Sequence, residues 1–569
     1  MRLIASVVGG LLILVGLILP SSTLIRLLNP ERIQDALLLQ GAMLFRIGLL
    51  LNGLAFILAG RMLAPAGDEP QAGQREQHSP HTVLALGGIL AAALILRLLR
   101  LDQGIWVDEI IAWVNYMHLS LGEVVTTYDD PNNHLLFTLL ARASFLLFGE
   151  SIWALRLPAV LLGVAGIWAL YLFAASVASR REALLAAAFL AVSYHHLWFS
   201  QNARGYTGIL LWTLLSSWLL VRALGEQRRS LWLLYAICAA LGAYTHMSMV
   251  FIVGGHLIIA LVSSWRRRAD PRPPDWAGMI GGFVLVGLFA FQLHALVLPQ
   301  AFSGALFKGV KGSVASWMNP IWSLLEILRS VKIGFGSLPA LAALLLFTVG
   351  SVSFARTQPL VLWLLFVPTV MAGAVMLALR YTLFPRFFFF DLGFGVVLLI
   401  RGAMRCGEFA VNRLRPGSSY ATAAGTALCI GMCVASAWTL PVAYLPKQDF
   451  AGALAFVEES RRAGDAVVAV GVARMPYEAY FRPGWRYPAT AGELESIRAG
   501  APRTWLVYTL ETHLREASPE IMSAIERNFE VAREFYGTLG GGTVVVCRSR
   551  DGGDGEGRDS RLNPPPRGS

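Results

Sequence analysis

Apolar residues along this chain come in long runs parted by short polar turns. The runs lie at 3–20, 41–61, 82–101, 153–177, 183–199, 207–222, 231–246, 247–264, 277–298, 338–354, 358–379, 386–402 and 421–441. Each is roughly 16 to 25 residues, the length a helix needs to cross a hydrocarbon core about 30 Å thick. They predict a polytopic α-helical membrane protein with 13 spans. One further run, 134–148, is short, carries Arg142 and ends at Phe148-Gly149-Glu150. From Asp449 the pattern changes. Val467 to Val470 and Trp505 to Tyr508 read as strands between helical segments, and Thr543 to Cys547 as a last strand.

These shifts divide the chain. Residues 1–62 form a two-helix N-terminal addition, 63–81 a polar linker and 82–445 a membrane core whose first large loop is 102–148. Residues 446–548 make a small α/β domain of about a hundred residues, an ordinary domain size. The Gly-, Asp-, Arg- and Pro-rich tail 549–569 reads as disordered. Arg2 and the apolar run after it imitate a signal peptide, but Leu19-Pro20-Ser21-Ser22 is a poor cleavage site, so an uncleaved first span is expected. No inverted repeat of the transporter kind is visible.

Composition narrows the class. The chain has 569 residues, 56% hydrophobic and 15% charged, with a formal charge of +11. That charge does not point to nucleic acid, because the basic residues cluster in short loops between spans, where orientation is set. The loops are Arg180-Arg181, Arg228-Arg229, Arg266-Arg267-Arg268, and 401–415 with Arg401, Arg405, Arg413 and Arg415. All four face the cytoplasm together if 134–148 does not cross, so that run is read as a helix lying along the outer surface. The N-terminus is then cytoplasmic and the C-terminal domain extracytoplasmic, in the plasma (inner) membrane. The five cysteines offer no metal-ligand spacing and no disulfide framework.

On this topology several polar segments reach the same outer face. Asp108-Glu109 stands just past an apolar run, where paired carboxylates are costly unless they face water or a polar site. A carboxylate there can orient an acceptor hydroxyl or take its proton; it can also simply cap the helix that follows. Asp129-Asp130-Pro131-Asn132-Asn133-His134 supplies helix-capping side chains, and with them Asp130 and His134 as positioning residues. Gln201-Asn202-Ala203-Arg204-Gly205-Tyr206 joins two spans. Its Arg204 suits a phosphate or the Asp108 carboxylate, or else snorkels to lipid headgroups. Tyr244-Thr245-His246 lies at the end of a span. Arg380 and Arg386 precede an aromatic wall, Phe387 to Phe390, that suits a lipid phosphate whose tail lies in the bilayer. Lys308 and Lys311 in the loop 299–337 are further cations for the same anion. No Gly-rich nucleotide cradle follows a strand.

Several motifs form an ordered series: Asp108-Glu109, Pro131-Asn132-Asn133-His134-Leu135-Leu136, Phe148-Gly149-Glu150-Ser151 and Ala154-Leu155-Arg156-Leu157-Pro158-Ala159. Ser200-Gln201 to Ala203-Arg204-Gly205-Tyr206 and Tyr244-Thr245-His246 complete it. Over about 82–400 the series resembles the C-type-fold glycosyltransferases, in their protein-mannosyltransferase and aminoarabinose-transferase branch. The resemblance implies a polyprenyl-phosphate-sugar donor used at the extracytoplasmic face, and an acidic residue of the first outer loop at the acceptor. Carried across, that residue is Asp108, with Glu109 beside it. The turn Pro131-Asn132-Asn133-His134 departs from the family's usual His-Pro-Pro-type turn, and the two N-terminal spans lie outside the shared core.

The expected reaction is a single, inverting displacement at the anomeric carbon. Asp108 deprotonates the acceptor hydroxyl, and Arg386 and Arg204, with Arg380 and Lys308 nearby, neutralise the departing phosphate. Asp130, His134, Gln201, Tyr206 and His246 position donor and acceptor. Preorganised charge of this kind supplies about 3–4 kcal/mol per donor. No cofactor is expected. The branch reads as metal-free, although oligosaccharyltransferase relatives use a metal, which leaves a divalent ion open. The acceptor is a protein, lipid or polysaccharide. Competing readings are a ligase or polymerase of lipid-linked glycans, a lipid or sugar transporter or flippase, and a scaffold for envelope components.

Overall fold

The computed structural model describes residues 2–62, 79–226, 228–271, 273–304, 315–323, 325–326, 329 and 337–550. Lys308, Lys311, nearly all of the linker 63–81 and the tail from 551 lie outside the described residues. Two compact units emerge, residues 1–103 with 108–445, and residues 104–107 with the chain from 446 onward.

The first unit is all helix. It contains α1 (Arg2–Ile18), α2 (Ser21–Leu28), α3 (Ala36–Met62), α4 (Pro80–Leu98), α5 (Val107–Tyr116, entering this unit at Asp108), α6 (Leu121–Thr126) and α7 (Leu135–Phe148). These are followed by α8 (Ile152–Val177), α9 (Arg180–Ala191), α10 (Tyr194–Ser200), α11 (Tyr206–Glu226), α12 (Arg229–Thr245), α13 (Met249–Arg266) and α14 (Trp276–His294). After the loop come α15 (Ser337–Thr357), α16 (Leu360–Ala378), a 3-10 segment Pro385–Asp391, α17 (Leu392–Leu414) and α18 (Ala421–Trp438).

Among the described residues ten helices are long and apolar enough to cross a membrane, or twelve if each of two bent pairs counts once. The protein is a multi-pass membrane protein. The expected thirteenth span falls on α12, whose 17 residues stand at the short end of the length that crosses a membrane. The run 134–148 folds as α7, only 14 residues long.

Two expected spans are not straight. α1 and α2 meet at 96°, and the stretch read as 183–199 breaks at Val192-Ser193 into α9 and α10, bent by 59°. A break leaves the last carbonyls of α9 without helical partners, which hydrocarbon does not tolerate. Arg97 of α4 answers this. Its fully buried guanidinium donates to the carbonyls of Ala191 (3.1 Å) and Leu190 (3.4 Å), to Ser200 Oγ (3.1 Å), and contacts His196 Nδ1 at 2.6 Å. The main core joins α8, α9, α11, α12 and α17 through Leu170, Phe173, Leu210, Leu214, Tyr235 and Phe394.

The second unit has its own core and a sheet of order β1-β2-β4-β3. β1 (Ala466–Ala469) runs parallel to β2 (Thr504–Thr509), while β4 (Val544–Ser549) is antiparallel to β2 and to β3 (Phe529–Phe535). Within this unit the Val107 N–H donates to Gln448 Oε1 at 3.2 Å. β3 is the strand missed in the sequence. It is an edge strand with most of its residues exposed, so it lacks the apolar alternation of a half-buried strand.

Candidate active site

Asp108 and Glu109 open α5, and the helix sends them to different partners, since successive residues on a helix point about 100° apart. Asp108 Oδ2 pairs with Arg386 Nη1 at 3.2 Å. Both side chains keep some exposure, 11% and 25%. Arg386 lies over the rings of Phe384 (4.6 Å) and Phe387 (5.9 Å), and among the described residues its Nε has no hydrogen-bond acceptor. The ion pair is thus open on one side, with a donor to spare.

Glu109 is closed. It is fully buried and clasped by Arg156 of α8, Nε to Oε1 at 2.8 Å and Nη2 to Oε2 at 2.6 Å. The Ala203 N–H adds a third bond to Oε1 at 2.8 Å. Arg156 also donates to the carbonyls of Leu101 and Gln103. This desolvated, two-pronged pair ties the first loop, α8 and the 201–206 turn together.

That turn and the 129–134 turn interlock. Arg204 donates to the Asn132 carbonyl (2.7 Å) and Oδ1 (2.8 Å), and among the described residues its Nε has no acceptor. The Gly205 N–H donates to His134 Nδ1 at 2.8 Å, which fixes the neutral ring's proton on Nε2. Burial, with Arg204 beside it, holds His134 well below the usual histidine range. With the proton on Nε2, the 3.3 Å approach of that nitrogen to Arg204 Nη2 is a contact between two donors rather than a hydrogen bond. Gly205 is required here, because a Cβ would come within 2.8 Å of His134 Nδ1 and 2.9 Å of the Thr245 carbonyl.

The rings of His134, Tyr206 and His246 pack together, with centroids 4.7 Å apart for the two histidines and 5.5 Å from each to Tyr206. His246 Nδ1 accepts from the Ser248 N–H at 3.1 Å, leaving its Nε2 as a second donor by the same argument. Asp130 accepts from the Asn132 N–H at 2.6 Å. Burial raises its pKa above the ordinary carboxylate value, with Asp129 and Asp108 adding to the effect and Arg204 opposing it.

Asp108, Asp130, His134, Arg204, Tyr206, His246 and Arg386 thus gather in one place. Other expected residues do not join them. Gln201 is buried and donates to the carbonyls of Arg97 and Leu99, so it holds the end of α4. Arg380 is exposed with a left-handed backbone, φ +53°, and makes no ion pair among the described residues. Lys308 lies outside the described residues. Arg156, which holds Glu109, was missed, though it is a charge inside an apolar run, the signal that marks a costly and purposeful residue. Among the described residues no group of three His, Cys, Asp or Glu side chains is placed to hold a metal ion.

Residues 129–295 match the family model described as dolichyl-phosphate-mannose-protein mannosyltransferase. That stretch contains the 129–134 turn, Arg156, the 201–206 turn and His246; Asp108 and Arg386 flank it. No curated protein sequence matches the chain. Similar solved structures include ArnT from Cupriavidus metallidurans bound to undecaprenyl phosphate, 13% identical over 82% of this chain and 98% of that one, TM-score 0.46. The Archaeoglobus fulgidus oligosaccharyltransferase in complex with zinc and sulfate is 11% identical over 80% of this chain and 72% of that one, TM-score 0.46. The arabinosyltransferase EmbB from Mycobacterium smegmatis is 12% identical over 70% and 45%, TM-score 0.45.

Proposed function

We propose that the chain is a membrane glycosyltransferase of the protein-mannosyltransferase kind, a reading supported by the family-model match over residues 129–295, and that it moves a sugar from a polyprenyl-phosphate donor to an acceptor hydroxyl at the extracytoplasmic face. The observation that carries this reading is the open Asp108–Arg386 pair, set beside the unsatisfied Arg204 Nε and the neutral His134 donor. A carboxylate able to take a proton and a set of donors able to take a phosphate stand side by side.

In the proposed reaction the acceptor hydroxyl oxygen attacks the anomeric carbon as Asp108 receives its proton. The bond from that carbon to the phosphate oxygen breaks, and the electron pair leaves with the polyprenyl phosphate. Arg386 and Arg204 offset the negative charge that develops, and His134 Nε2–H donates to a phosphate or sugar oxygen. Attack opposite the leaving group inverts the anomeric configuration. Asp130, Tyr206 and His246 line the donor side. Glu109 is a positioning residue in this scheme, since all its acceptor strength is spent on Arg156 and Ala203. The C-terminal unit is assigned to the same extracytoplasmic side, with the N-terminus in the cytoplasm. A lipid transporter fits less well, because the free donors cluster together rather than along a path through the bilayer.

The test is incubation of purified protein with a panel of polyprenyl-phosphate sugars, read by mass spectrometry. Sugar release or transfer from one donor supports the proposal; a folded protein that binds such a donor and turns over none opposes it. Arg386→Ala is expected to raise the donor KM about tenfold or more while the acceptor KM changes little. Equal loss for both substrates assigns Arg386 to packing. Gly205→Ala is expected to displace His134 and cut turnover about a hundredfold, the scale of a 1 Å misplacement, and to lower the melting temperature as well, since its Cβ also meets the Thr245 carbonyl at 2.9 Å and such overpacking costs about 1–3 kcal/mol. Unchanged turnover removes His134 from the site.

A further inference from the structure

At the other end of the membrane helices lies a second concentration of charge that the reaction does not use. α17 leads away from Arg386, and 15 residues further on carries Arg401 and then Arg405. With the rise of a 3-10 segment and then an α-helix, that is roughly 25 Å along the axis. The bent pair α9–α10 likewise runs from its cap at Ser179 to the 201–206 turn. Between the start of α9, the middle of α17 and the start of α18 is a cavity of about 410 Å³, lined by Arg181, Glu182, Arg401, Met404, Arg405 and Glu408 among others.

Its charges do not cancel. Glu182 is engaged twice. Oε2 accepts from the Ser179 hydroxyl (2.7 Å) and N–H (3.0 Å), closing a capping box at the α9 N-terminus, and Oε1 faces Arg401 Nε at 3.1 Å. Glu408 is taken by Arg405 at 2.8 Å. Arg181 forms no ion pair among the described residues. Arg401 is 12% exposed, lies 4.6 Å over the Phe354 ring, and meets Glu182 off the line of a hydrogen bond. The guanidinium is therefore almost dry at the cavity wall, and among the described residues its Nε has no hydrogen-bond acceptor. Three cations face two occupied carboxylates.

We propose that this cavity binds a phosphate-bearing anion, with Arg401 as the fixed donor and Arg181 and Arg405 closing over it. A planar guanidinium suits a phosphate's oxygens. A basic pocket between transmembrane helices is also where a phospholipid headgroup sits with its chains in the bilayer. The shared chemistry is the phosphate, borne by a lipid or free in solution.

Native mass spectrometry of the full chain, with phosphatidylglycerol, phosphatidylcholine or inorganic phosphate added separately, tests this. One retained phosphatidylglycerol per chain, lost about tenfold in Arg401→Gln and Arg405→Gln, establishes a lipid headgroup site. Retention of inorganic phosphate without lipid, lost in the same variants, establishes a free-anion site. Should Arg401→Gln misfold because Glu182 is left buried and unpaired, the exposed Arg181→Gln gives the same reading. Equal retention by wild type and every folded variant overturns the proposal.

Discussion

Asp108→Asn abolishes sugar transfer and leaves the protein folded in the membrane. The amide keeps the size of the carboxylate and can still lie beside Arg386, but it cannot take the acceptor's proton. Loss of a positioned base typically costs about 10²–10⁴-fold in rate, and that is the fall expected in the donor-panel assay. Asp108 is largely buried, but an amide of the same size opens no cavity, and Arg386 keeps a quarter of its side chain in solvent. The melting temperature of the purified variant should therefore stay close to that of wild type. Near-normal turnover removes Asp108 as the base; a collapsed, aggregated variant assigns it to structure instead.

The adjacent carboxylate gives the opposite result. Glu109→Gln is expected to lower the melting temperature sharply, because Arg156 is then left buried without its counter-charge, at a cost of about 3–5 kcal/mol. Replacing both partners by apolar residues of similar volume, as in Glu109→Leu with Arg156→Met, should recover much of that stability, since the desolvation of two charges disappears with them. It should not recover full turnover, as the Ala203 N–H loses its acceptor and the 201–206 turn its anchor. A Glu109→Gln protein with wild-type melting and no transfer would give Glu109 a part in the chemistry.

The contrast between these neighbours marks what the sequence could and could not tell. Two carboxylates beside an apolar run are visible as costly, but which one faces the open side depends on the rotation of α5, and that is set by where Arg156 stands. Arg386 was legible as a candidate because a cation stands before four phenylalanines, a pattern that interfacial anchoring would also produce. Arg380, equally cationic and six residues earlier, looked the same and lies exposed after α16. The turns at 129–134 and 201–206 were readable as polar islands, while their interlock through Gly205 and His134 was not, because a glycine's close approach leaves no trace in hydropathy. The membrane helices were plain from run lengths. The break in 183–199 was hidden, since its cost is met by Arg97, nearly a hundred residues upstream.

That distant arginine has a consequence for how the chain is made. At the break the Ala191 carbonyl loses its helical partner and finds a replacement on α4, while the Leu190 carbonyl keeps the Ser193 N–H at 3.3 Å and gains the same arginine. α4 leaves the ribosome well before α9, so the clamp is waiting in the bilayer when the kinked segment arrives. Without it, α9 and α10 would be driven toward one continuous rod, the form that satisfies its own backbone in lipid. Insertion order thus works as a chaperone written into the sequence: an early helix keeps a later one bent.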